Sequence, residues 1–78
     1  DTQHRLARVA QLIDGFETPY GMELLATVHW VAKSNGAART DSAVAVSDVH
    51  AWSDHKRQTF RSDHIQIAWQ RLREQEWL

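Results

Sequence analysis

The chain has 78 residues, nine Lys or Arg against ten Asp or Glu, a formal net charge of −1 and no cysteine. That length holds one domain, residues 1–78, near the lower size limit for a self-sufficient core, and without cysteine neither a disulfide nor a thiolate metal site can supplement it. The near-neutral balance argues against a dedicated nucleic-acid binder, and no apolar run is long enough to span a bilayer.

Taken in order, the chain begins with Asp rather than Met, which points to a piece of a longer protein. Residues 2–14 predict a first helix with Leu6, Val9, Ala10, Leu12 and Ile13 on its apolar stripe and His4, Arg5, Arg8 and Gln11 opposite. Gly15 is a natural stop, because glycine takes the left-handed conformation at no steric cost. Thr18 is placed to cap the next helix and Pro19 to open it, where its missing N–H and fixed φ both suit a helix start. Glu17 and Glu23 then lie near the positive end of the helix dipole, and Phe16 sits like a hydrophobic staple. From Pro19 to Lys33, Gly21, Leu24, Leu25, Val28, Val31 and Ala32 follow the spacing of one buried face. This is the centre of the expected core.

Residues 34–40 read as the one clear loop. Thr40 or Asp41 would cap a third helix with Val46, Val49 and Trp52 on one face, although residues 43–46 also alternate like a short strand. Residues 53–60 read as a polar bend. Ser62 with Asp63 would cap a last helix carrying Ile65, Ala68, Trp69 and Leu72. Trp77 and Leu78 must dock on the core or on a partner. The expected fold is all-α, about four helices, with a winged-helix-like arrangement as one form it could take.

The residue types offer no catalytic constellation, so no catalytic, cofactor or metal site is expected. His50 and His55 are five apart, which does not place both rings on one helix face, and no HExxH occurs. His29 lies inside the central helix and reads as a boundary residue. Asp54-His55 and Asp63-His64 are sequence neighbours, which point in different directions. Ser53, Thr59 and Ser62 lack a nucleophile elbow, and there is no glycine-rich phosphate loop.

Two candidate binding surfaces remain. His55, Lys56, Arg57 and Arg61 lie close in sequence to Trp52 and Phe60, a mixture that suits phosphate and base stacking, or equally a solvated turn flanked by core aromatics. Asp14, Glu17, Tyr20 and Glu23 form an acidic-aromatic group at the central helix start, where capping and dipole compensation explain the glutamates as well. Tyr20 and Trp30 fall off the apolar stripe and either reach a second layer or serve as anchors for another protein.

The phrases at residues 15–25, 27–32, 49–57 and 65–72 (GFETPYGMELL, TVHWVA, VHAWSDHKR and IQIAWQRL) resemble the C-terminal domain of macrodomain-containing antitoxins. These are the DarG partners of DarT, a toxin that ADP-ribosylates single-stranded DNA. The resemblance covers nearly the whole chain and implies a bacterial, cytoplasmic C-terminal fragment that neutralises the toxin by binding it. The macrodomain that removes ADP-ribose would then be absent, and with it any glycohydrolase activity. The family offers no short binding motif to transfer. Candidate contacts therefore rest on the physical reading alone: Asp14, Glu17, Tyr20, Glu23, Trp30, Trp52, Lys56 and Arg57. A winged-helix-like DNA-binding module, reading with its last helix, and a structural dimerisation domain are the alternatives.

Overall fold

Thr18 and Pro19 set the frame. In the computed structural model, which describes residues 2–78, the Thr18 hydroxyl accepts from the Gly21 amide at 3.0 Å and Pro19 opens helix α2 (Pro19–Ser34). The expected face is the one buried: Gly21, Leu24, Leu25, Val28, Val31 and Ala32, joined by Thr27. Ahead of it, α1 (Thr2–Ile13) ends at a corner where Gly15 takes φ +87°. Phe16 is buried, and its backbone lies so close to Gly21 that a Cβ there would come within 2.7 Å of the Phe16 carbonyl oxygen. The approach angle that a staple would fix is therefore fixed by backbone contact against a glycine.

Beyond α2 the chain departs from the expected four helices. Among the described residues there are six helices and no strand: α3 (Gly36–Thr40), α4 (Ser42–Trp52), α5 (Asp54–Thr59) and α6 (Ser62–Glu74) complete the set. The stretch expected as a loop contains α3, and the stretch expected as a polar bend contains α5. The strand alternative at residues 43–46 gives way to α4, and no β wing accompanies the helices. The physical reason lies in single polar residues that serve two helices at once. The Asn35 amide donates to the Val31 carbonyl, closing α2, while its side chain accepts from the Ala37 amide, opening α3. Asp41 closes α3 and opens α4 in the same way, so Asp41 rather than Thr40 is the cap. Ser53 follows α4 and accepts from the Lys56 amide to open α5. The last cap also differs: Arg61 occupies the N-cap position of α6 without a side-chain bond, Ser62 is already helical, and Asp63 accepts from the His64 amide.

The core forms where α2 meets α6, α4 and α3. Val28 packs with Val49, Phe60, Ile65 and Leu72, all fully enclosed. The short α3 is tied in by Ala38, which is fully buried and whose carbonyl accepts from the Trp69 indole N–H at 2.8 Å. Trp77 and Leu78 fold back onto the core, with the Trp77 amide donating to the Leu72 carbonyl. That return passes through Glu76 at φ 60°, a left-handed position that favours glycine.

Helix α1 stands apart among the longer helices, since none of its side chains is buried and Leu6 is 64% exposed. Its apolar contact with the core comes from Leu12 and Ile13, at its end, and Arg8 lies over the Trp77 ring. What holds that end is a residue from the far end of the chain. Arg71 of α6 donates to the carbonyls of Gln11, Leu12 and Asp14 and places its guanidinium 5.2 Å from the Phe16 ring centre.

Candidate partner-binding surface

The residues singled out in the sequence separate into two places on the structure. At the α1–α2 corner, Asp14 and Tyr20 line a cleft of about 320 Å³ together with Phe16, His64 and Arg71. Glu17 accepts from the Gly15 amide at 3.0 Å, so its carboxylate closes the corner. Tyr20, expected either in a second layer or as an anchor, takes the first role. Its ring packs edge-on against Phe60, and its hydroxyl is 2.9 Å from His64 Nδ1.

The second place joins the two groups that the sequence kept apart. Glu23 on α2 pairs with Lys56 on α5 at 3.6 Å, and the Lys56 ammonium stands 4.5 Å from the Trp52 ring centre and 5.5 Å from that of Phe60. Lys56 is thus largely covered, held between a carboxylate and two aromatic faces. Beside this assembly a cleft of about 300 Å³ opens between α2 and α4, walled by Trp30 and Trp52 with Val31 and Ala51 behind them. Trp30 is 61% exposed and Trp52 47%. Trp52, expected on the buried face of its helix with Val49, is instead partly exposed at the helix end, where Lys56 covers one side of its ring.

Asp48 is the polar residue of this cleft that sequence reasoning missed. It is half-buried, and one carboxylate oxygen accepts from the Asn35 side chain at 2.8 Å. An aspartate among Ala, Val and Ser in mid-helix carries no signal until Asn35 is brought opposite. Arg57 lies outside both clefts and pairs with Asp54, as Arg61 pairs with Asp63. Both pairs are exposed at the surface.

His29, His50 and His64 have structural partners. His50 Nε2 donates to the Phe60 carbonyl at 2.9 Å, and the His29 ring meets Trp77 edge-on. Burial holds the His29 pKa below its ordinary value, with nearby Lys33 adding to the effect. Among the described residues no group of three His, Cys, Asp or Glu is placed to hold a metal ion, and no helix is long and apolar enough to cross a membrane.

This helical unit has relatives among named bacterial proteins. A DNA ADP-ribosyl glycohydrolase of Thermus aquaticus is 48% identical over 61 residues, which is 78% of this chain and 16% of that protein. The proteins of the same name from Mycobacterium bovis and Mycobacterium tuberculosis are each 42% identical over 64 residues, 82% of this chain and 18% of theirs. The chain shares a domain with the DNA ADP-ribosyl glycohydrolases. It spans less than a fifth of their length. No family model matches the chain, and no solved structure matches it at a significant level.

Proposed function

We propose that this chain is the toxin-binding domain of a DarG-type antitoxin, a cytoplasmic domain that binds and inhibits a DNA ADP-ribosyltransferase toxin by occupying its DNA-binding groove. The observation that carries this reading is the likeness to less than a fifth of proteins named for removing ADP-ribose from DNA. In a protein of that kind hydrolysis belongs to the remainder, and this segment is left with recognition. A toxin that grips DNA must present a basic groove, and a competitor needs carboxylates in place of phosphates and rings in place of bases.

The contact set on this reading is Trp30, Trp52, Glu23 and Lys56 at the α2–α4–α5 surface, flanked by Arg57. Asp14 and Glu17 at the helix corner, beside the half-buried Tyr20, form a second patch. Binding of DNA by the domain itself is disfavoured by its near-neutral charge, nine basic against ten acidic residues. The test is calorimetric titration of this chain into a catalytically inactive toxin, with and without single-stranded DNA. Binding that DNA abolishes is expected. A stable ternary complex refutes groove occlusion, and no binding at all refutes the toxin-binding role. A mobility shift of DNA by this chain alone would favour the DNA-binding alternative.

A further inference from the structure

We infer that the Trp30–Trp52 cleft is a socket for one arginine side chain of the partner, with Asp48 as its counter-charge. The inference rests on the toxin-binding reading for the identity of the partner, but the socket itself stands on this chain's own geometry.

The cleft, at about 300 Å³, lies at the bottom of the range of small-molecule pockets, roughly 300–1,000 Å³. It is open, walled by two exposed indoles, and Asp48 is the one residue lining it that carries a charge. These features select the occupant by sign. A phosphate or carboxylate is repelled by Asp48. An apolar side chain would strip water from a half-buried carboxylate whose second oxygen has no hydrogen-bond partner among the described residues, which is costly. A cation satisfies that oxygen and gains the negative faces of the two rings. Between the two cationic side chains, the flat guanidinium stacks on an indole and is more weakly hydrated than an ammonium, so arginine is favoured over lysine.

The molecule already uses one of these rings in this way. Lys56 occupies a face of Trp52, and Glu23 holds Lys56 there. Among the described residues no cation stands over Trp30, although Arg8, Arg71 and Arg73 cover Trp77, Phe16 and Trp69. Trp30 is thus the indole without a cation and one of the two most solvent-exposed large apolar side chains. An exposed tryptophan beside a carboxylate oxygen that no side chain among the described residues engages is the kind of place where interface energy concentrates. A protein that holds DNA brings arginines to its groove.

Two arms test this. In the first, the indole N–H signals of the 78-residue chain are followed by NMR while N-acetyl-arginine amide, N-acetyl-lysine amide or the neutral N-acetyl-citrulline amide is added. Trp30 and Trp52 are expected to shift with arginine, and Trp69, whose N–H is buried on Ala38, to stay. Asp48→Asn should weaken the arginine response at least about fivefold. Equal responses to citrulline, or an unchanged response in Asp48→Asn, overturn the socket; equal responses to lysine overturn the arginine assignment.

In the second arm, Trp30→Ala and Asp48→Asn are titrated with the inactive toxin after their helix content is verified. Each is expected to weaken binding at least about tenfold, the scale of a hot-spot residue. Full-strength binding by both variants to a toxin that binds the wild type overturns the socket. If the wild type does not bind the toxin, the toxin-binding reading fails, and the amide titration alone decides the socket.

Discussion

Arg71→Met tests whether one side chain from α6 holds α1 in place. Methionine keeps a long apolar stem over Phe16 and removes the guanidinium. The single nitrogen Nη1 faces three carbonyls, at 3.5 Å for Gln11, 3.2 Å for Leu12 and closest for Asp14. It carries two hydrogens, so two bonds are counted rather than three. A bond from a charged donor contributes about 1.5–3 kcal/mol when sheltered, and these are partly exposed, so about 0.5–1 kcal/mol each is the better figure. Stacking on Phe16 adds about 0.5–1 kcal/mol, and the charge at the negative end of α1 roughly 0.3–0.5 kcal/mol. The freed carbonyls can be rehydrated, which limits the loss to about 2 kcal/mol. For a domain of this size that corresponds to a fall in Tm of about 8–16 °C. Urea denaturation gives the global loss, and amide exchange gives the local one, with protection in residues 6–13 falling first. Arg71→Lys keeps charge but loses the fork and should recover less than half. An unchanged midpoint together with unchanged exchange in α1 would show that Leu12 and Ile13 hold the helix by themselves.

Three further outcomes are expected. Trp69→Phe strands the buried Ala38 carbonyl and leaves a void, costing roughly 2–4 kcal/mol by denaturant midpoint, with α3 loosening first in amide exchange. Glu76→Gly relieves the left-handed backbone at φ 60° and should raise stability by about 0.5–1 kcal/mol, measured the same way. His29 has a folded-state pKa below its ordinary 6.5, so the unfolded chain takes up its proton first as pH falls. The stability tied to neutral His29 is therefore complete above pH 6.5 and is lost as the pH drops through that value toward the lower folded pKa. His29→Gln should flatten the change in urea midpoint between pH 7.5 and 5.5, and an equal slope in the variant would place its cause elsewhere.

The parts of this fold legible in the sequence are those that one helix encodes by itself. Thr18, Pro19 and the run from Gly21 to Ala32 specify α2 through local capping and a periodic face, and Ile65, Ala68, Trp69 and Leu72 specify the buried side of α6 in the same way. Helices of five and six residues, such as α3 and α5, have too few turns for a period to register. Their caps, Asn35, Asp41 and Ser53, read as loop formers because the same side-chain chemistry serves both ends. The candidate surface was half legible. Trp30 stood out by helical angle, whereas Trp52 was assigned to the buried face of α4 although, as the last residue of that helix, it reaches the edge of the core and stays partly exposed. Glu23 and Lys56 were both noticed, yet nothing in one dimension pairs residues that far apart. Asp48 and Arg71 became visible only through Asn35 and the α1 carbonyls they face, contacts that tertiary packing creates.

The one-residue breaks between α2 and α5 have a consequence for how chains of this type can change over evolution. Asn35, Asp41 and Ser53 each end one helix and start the next, so no slack separates the four helices. One added residue absorbed into the following helix turns everything beyond it by about 100° and advances it about 1.5 Å. At Asn35 that would swing Ala38 away from the Trp69 indole, and at Ser53 it would carry Lys56 away from Glu23. Exposed positions along this stretch tolerate substitution, but insertion and deletion disturb everything beyond them. Changes of length should gather instead at the corner formed by residues 14–18 and at the two ends, so that relatives keep the spacing from Pro19 to Glu74 even where few side chains are shared.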